Sequence, residues 1–89
     1  MLDNIYERRT IRDGLYGLSL TIKQDQYFMV YDDISQENAE EVVDNYLINR
    51  QDDGRPGDVK IEHDKNQGIV SIQANLHYTG NEKIIYKEQ

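Results

Sequence analysis

The sequence contains no cysteine and no tryptophan, and it has one proline and one phenylalanine among its 89 residues. Without cysteine, the chain forms no disulfide, offers no thiolate to a metal and has no cysteine nucleophile. Its longest apolar run is far shorter than the ~20 residues that a membrane-spanning helix needs. The N-terminal residues also lack the basic-then-apolar order of a signal peptide. These absences predict a single cytoplasmic domain over residues 1–89 that does not contact a membrane.

Catalytic and cofactor motifs are missing as well. The chain has no glycine-rich phosphate loop, no nucleophile elbow and no zinc-ligand spacing. Its two histidines, His63 and His77, are predicted on opposite faces of a sheet, where they share no metal and relay no proton. We therefore expect a protein that is not an enzyme and that uses no cofactor. A small enzyme or small-ligand binder is the minor alternative.

The loop predicted over residues 51–58 contains two glycines, three aspartates and the single proline. Fitting it to the EF-hand template places Lys60 where a bidentate glutamate is required, so the template fails. A solvated turn is the favoured interpretation, and no metal is expected. A weak divalent-ion site formed by Asp52, Asp53 and Asp58 is the alternative.

The clearest pattern in the chain lies over residues 35–50 and predicts an amphipathic helix. The apolar positions with helical spacing are Ala39, Val42, Val43, Tyr46 and Leu47. Ser35 precedes them as a natural N-cap. Four acidic residues, three and four apart, share the opposite side of this helix: Glu37, Glu40, Glu41 and Asp44. The pattern thus predicts one buried stripe and one exposed acidic face.

Apolar residues that alternate with polar ones predict strands over residues 15–23, 27–31, 59–63 and 69–78. In the last pair we expect His63 opposite Val70 and Ile61 opposite Ile72, since both apolar sets then share one face. Residues 83–87 could add a fifth strand, and residues 1–13 form an arm or a short helix. The predicted fold is a single α+β domain of ββαββ(β) order, with a mainly antiparallel sheet and one amphipathic helix on one face.

Phe28 and Val30 lie on the opposite face of the predicted second strand from Tyr27, Met29 and Tyr31. A sheet with one covered face does not need apolar residues on both sides. Either this strand is central and covered on both faces, or Phe28 and Val30 form an association surface through which two copies make a homodimer.

The acidic residues are concentrated in one part of the chain. Eleven acidic and three basic residues lie between Asp32 and Asp64, a net charge of −8, whereas the remainder of the chain carries +1. Direct binding to nucleic acid is disfavoured, because it requires clustered lysine and arginine. A basic protein partner is favoured instead, such as a nucleic-acid-binding enzyme. The predicted contact residues are Glu37, Glu40, Glu41, Asp44, Asp52 and Asp53.

In size, segregated acidity and lack of catalytic residues, the chain resembles in type the small inhibitors encoded by phages and mobile elements. Anti-CRISPR and other anti-defence proteins are among them. The resemblance implies an inhibitor that mimics nucleic acid and occupies a basic groove, and it assigns no role to any residue. The alternative hypothesis is a self-associating structural or accessory domain that uses the outer face of strand two.

Overall fold

Two helices lie on one face of a four-stranded antiparallel sheet in the computed structural model, which describes residues 5–78. The elements are β1 (Tyr6–Arg12), β2 (Leu15–Lys23), α1 (Gln24–Val30), α2 (Gln36–Asn49), β3 (Arg55–Asp64) and β4 (Ile69–His77). The strand order is β1-β2-β4-β3, so among the strands of residues 5–78 β2 and β4 are central and β1 and β3 are the edges. The α+β class and the antiparallel sheet are confirmed. The predicted ββαββ(β) order with a single helix is wrong, since the order over the described residues is ββααββ.

The core lies between this sheet and the helices. Alternate residues of the two central strands point into it and are buried: Leu18, Leu20, Ile22, Val70, Ile72, Ala74 and Leu76. The helices supply Tyr27, Ala39, Val42, Val43, Tyr46 and Leu47. The opposite face of the sheet is polar and carries no helix over the described residues. Such alternation is expected for an antiparallel sheet covered on one side.

Helix α2 matches its prediction closely. The side chain of Ser35 accepts a hydrogen bond from the backbone N–H of Asn38 at 3.1 Å, so Ser35 is the N-cap. All five apolar positions of the predicted stripe are buried. Arg50 is the C-cap of the helix, and its guanidinium lies 5.0 Å from the centre of the Tyr46 ring.

The β3–β4 hairpin also has the predicted register, with His63 opposite Val70 and Ile61 opposite Ile72. Its first half differs from the prediction, because residues 55–58 belong to β3 rather than to a loop. The register shifts between Gly57 and Lys60, and Asp58 has a φ of 51°. A bulge of this kind is not visible in the apolar pattern, since it adds a residue without an inward side chain.

Residues 27–31, predicted as a strand, belong mostly to helix α1, and no turn separates β2 from this helix. With seven residues and one buried side chain, Tyr27, α1 has no apolar stripe from which a helical period could be recognised. Tertiary contacts hold it instead. The Tyr27 hydroxyl donates to the carbonyl of Asp33 at 2.7 Å, and Nε2 of His63 lies 2.9 Å from Oε1 of Gln24.

The prediction of an arm or short helix over residues 1–13 is wrong for residues 6–12, which form β1. The turn that follows explains the strand. Asp13 and Gly14 have φ values of 53° and 80°, the positive pair that a two-residue hairpin turn requires. Asp-Gly between two extended segments is a strong hairpin signal, and it lies outside the apolar pattern on which the prediction for residues 1–13 was based. The proposed fifth strand at residues 83–87 lies outside the described residues.

Candidate interaction surfaces

The predicted acidic side of α2 is a real, continuous surface. Glu37, Glu40, Glu41 and Asp44 are all exposed, and we call them the α2 acidic face. Over residues 5–78 the only ion pairs join Arg9 to Glu7 and Arg9 to Asp52. No cation of the described chain therefore neutralises the α2 acidic face.

Hydrogen bonds engage only part of this surface. Glu40 accepts one from the side-chain amide of Gln36 at 3.2 Å, and Glu41 accepts one from the Tyr31 hydroxyl at 3.1 Å. Burial, and then the bond to Glu41, raises the pKa of Tyr31 to about 12. Glu37 and Asp44 make no side-chain hydrogen bond with a described residue. The carboxylates thus keep most of their accepting capacity for another molecule.

A shallow open groove of about 320 Å³ runs between α2 and the first half of β3. Glu40 and Asp44 line one side of it, and Asp58 lies on the other. The side-chain amide of Asn75, which lies on the helix-free face of the sheet, donates to the Asp58 carboxylate at 3.1 Å and holds it toward that face. The acidic side of the groove is therefore the α2 side, formed by Glu40 and Asp44.

Asp52 and Asp53, from the loop after α2, have different surroundings. Asp53 is exposed. Asp52 is half-buried, and its carboxylate lies 2.9 Å from Nη1 of Arg9 and accepts the backbone N–H of Gly54 at 2.8 Å. Burial acts to raise the pKa of Asp52, but the bonds from Gly54, Arg9 and Tyr78 outweigh it and leave the pKa lowered. Asp52 is thus already neutralised inside the fold, whereas Asp53 remains available to a partner.

Phe28 and Val30, predicted on the outer face of a strand, lie on α1 instead. Both are exposed, and Met29 between them is more exposed still. The Phe28 ring packs edge-on against His63, with centroids 5.3 Å apart. Phe28, Met29 and Val30 are consecutive on one short helix, where successive side chains diverge by about 100°, so they do not form a sheet face.

No group of three potential metal ligands comes together within residues 5–78, so Asp52, Asp53 and Asp58 do not form the alternative ion site. His63 contacts Gln24 and Phe28, and His77 is exposed near the end of β4. None of the helices in this part of the chain has the length and apolarity needed to cross a membrane.

Comparisons with protein-family models, with curated proteins and with solved structures find no match to this chain. A functional conclusion therefore depends on the surfaces themselves.

Proposed function

We propose that the protein is a non-enzymatic interaction module whose α2 acidic face binds a basic groove on a partner protein. One observation carries the proposal: four exposed carboxylates on one side of α2 have no cation partner among the described residues. Carboxylates three and four apart on a helix repel each other, at a cost of about 0.2–0.5 kcal/mol per pair. A cationic partner would relieve that repulsion.

The position of the charges supports a protein partner over nucleic acid. Asp53 is exposed in the loop that follows α2, and Glu40 and Asp44 line the groove beside the first half of β3. A surface with this charge attracts a basic groove and repels a phosphate backbone. In the specific form of the proposal, the partner is a nucleic-acid-binding enzyme, and the module blocks it as phage-encoded inhibitors do.

The test compares two variants of equal charge. Glu40→Lys with Asp44→Lys reverses the centre of the α2 acidic face, whereas Asp25→Lys with Glu62→Lys reverses two exposed carboxylates on α1 and β3. Each pair changes the net charge from −7 to −3, since each reversal adds two units. The α2 variant should lose a partner that the wild type captures, and the control variant should keep it. Equal capture by both variants would contradict the proposal.

Competition with DNA tests the nucleic-acid mimic separately. If the partner's groove normally holds nucleic acid, double-stranded DNA added to the purified complex displaces the protein in proportion to its concentration. If DNA does not displace the protein but the α2 variant fails to bind, the interaction-module hypothesis stands and the nucleic-acid-mimic hypothesis is wrong.

Self-association is the second candidate function, and the exposed apolar side chains of Phe28, Met29 and Val30 on α1 favour it. Two copies that pack their α1 helices together would bury part of this apolar surface in a symmetric contact. Sedimentation at micromolar concentration distinguishes the outcomes. A dimer that Met29→Glu dissociates supports this function, and a monomer rules it out.

A further inference from the structure

The two edges of the sheet differ in how they are protected against pairing with another strand. Edge β3 contains Pro56, a bulge between Gly57 and Lys60, and Asp58 at positive φ. Proline and bulges are the usual devices that prevent a further strand from adding to an edge. Edge β1 has neither of them. All seven residues from Tyr6 to Arg12 pair with β2 in an unbroken register.

The side chains of β1 are also unusually open to solvent. Tyr6 is 71% exposed and Ile11 is 70% exposed, although both are large apolar residues within a strand. Every second residue of an edge strand also directs its backbone N–H and C=O away from the sheet. An added strand would form hydrogen bonds with these backbone groups and cover part of the exposed Tyr6 and Ile11 side chains.

The charges of β1 decide what kind of strand can pair there. Arg8 and Arg12 point to the polar face of the sheet, four residues apart, and make no ion pair with a described residue. At a rise of about 3.3 Å per residue, their side chains are spaced by roughly 13 Å. Carboxylates at the same spacing on a neighbouring strand would lie directly opposite both arginines.

A second copy of this chain is a poor occupant of the β1 edge. If β1 paired antiparallel with β1 of a second molecule about a two-fold axis at Arg8 or at Arg9, that arginine would lie opposite the same arginine of the second molecule. Pairing centred on Thr10 sets Arg8 opposite Arg12. Like charges directly opposite each other are destabilising. These are the registers that pair the most residues of β1, so the arginines oppose extensive self-pairing and favour an acidic strand, which is how charge selects one partner over another.

We infer that the β1 edge binds an extended acidic segment of another protein, which adds to the sheet as a fifth strand beside Tyr6–Arg12. Backbone hydrogen bonds supply the binding energy, and carboxylates opposite Arg8 and Arg12 supply the specificity. This inference is independent of the α2 acidic face, because it concerns a different element and a partner of opposite charge.

Three labelled peptides, capped at both ends, test the inference on the full-length protein. The first is Glu-Val-Thr-Val-Glu-Val-Thr, which presents two glutamates four residues apart. The second has lysine in place of both glutamates. The third keeps the glutamates and replaces the central valine with proline, which removes a backbone donor and disfavours the extended pairing.

We expect the first peptide to bind about tenfold or more tightly than either of the others. Its binding should slow hydrogen exchange at amides of β1 and leave those of β3 unchanged. No binding of the first peptide at millimolar concentration would overturn the inference. Equal binding of the first and third peptides would also overturn it, because charge alone would then explain the association.

Charge-swap variants provide the specificity control. Arg8→Glu with Arg12→Glu should reverse the preference from the glutamate peptide to the lysine peptide. Arg55→Glu with Lys60→Glu changes the net charge equally on the other edge and should leave the preference unchanged. A preference that follows net charge in both variants contradicts the inference. So does strong exchange protection of all β1 amides in the free monomer, since the edge would then already be occupied.

Discussion

Arg9 of β1 and Asp52 of the α2–β3 loop form an ion pair with 2.9 Å between Nη1 and Oδ2, and this pair ties the edge strand to the end of α2. The same guanidinium lies 2.8 Å from Oε2 of Glu7, and the Tyr78 hydroxyl donates to Asp52 at 3.3 Å. Burial disfavours the charged form of Arg9, but the carboxylates of Asp52 and Glu7 outweigh this effect and raise the pKa of Arg9. Arg9 also donates to the Tyr78 hydroxyl at 3.3 Å, so one cation connects β1, the α2–β3 loop and the residue that follows β4.

Breaking this pair from either side should destabilise the fold. We expect Asp52→Asn and Arg9→Gln each to lower the free energy of unfolding by about 1–2 kcal/mol. The cost is below that of a fully buried pair, because Arg9 keeps about a third of its side chain in water. Urea denaturation of both single variants and of the double variant measures the coupling. Additive effects would mean that the two residues do not stabilise each other.

Glu7 should make stability depend on pH in acid. A hydrogen bond from Tyr46, and then one from Arg9, lower the pKa of Glu7 in the folded protein despite partial burial. Its contribution is therefore complete above the unfolded pKa of about 4.5 and is lost as pH falls through the lower folded value. In Glu7→Gln, urea midpoints should be lower at neutral pH and should fall less steeply below pH 4.5. Parallel wild-type and variant curves would contradict the assignment.

Tyr46 should have the opposite effect at alkaline pH. Burial, and then the bond to Glu7, raise the pKa of Tyr46 from 10.0 to about 12. The stability that it contributes is present below pH 10 and is lost as pH rises toward 12. Tyr46→Phe should reduce this alkaline loss, measured as the urea midpoint against pH. Tyr16→Phe is the matched control, because Tyr16 is exposed and its hydroxyl makes no hydrogen bond with a described residue.

Two glycines should respond differently to alanine. A Cβ at buried Gly54 would lie 2.8 Å from Cζ of the Tyr78 ring and 3.0 Å from Oδ1 of Asp52. Gly54→Ala should therefore displace Tyr78 and cost about 1–3 kcal/mol. At Gly17 the close atom is Oγ1 of Thr10 at 2.5 Å, and a rotation of that side chain relieves the contact. Thermal unfolding of both variants checks the difference. A larger loss for Gly17→Ala would be contrary to this account.

Elements that bury a regular set of apolar residues were predictable from the sequence. Helix α2 buries five residues with helical spacing, and β4 buries every second residue, so both were recognised. Helix α1 buries Tyr27 alone, and most of β1 is exposed. Neither pattern contains a period to recognise, although the Asp13–Gly14 turn gave a local signal for the β1–β2 hairpin.

The candidate surfaces were predictable to different degrees for the same reason. The α2 acidic face follows from residue spacing on one helix, so its four members were grouped correctly. The neutralisation of Asp52 by Arg9 and the hydrogen bond from Asn75 to Asp58 depend on how distant segments pack. No local pattern reports such contacts. The location of Phe28 and Val30 was missed because the helix that carries them was missed.

The affinity of the purified partner for the wild type and the two charge-reversed pairs tests the central claim most directly, measured at about 0.05 M and about 0.5 M salt. We predict that Glu40→Lys with Asp44→Lys weakens binding at low salt about a hundredfold, whereas Asp25→Lys with Glu62→Lys changes it less than about threefold. Wild-type affinity should also fall steeply between the two salt concentrations. Binding that is insensitive to salt and unchanged by the α2 reversal would contradict the proposal that the α2 acidic face is the functional surface.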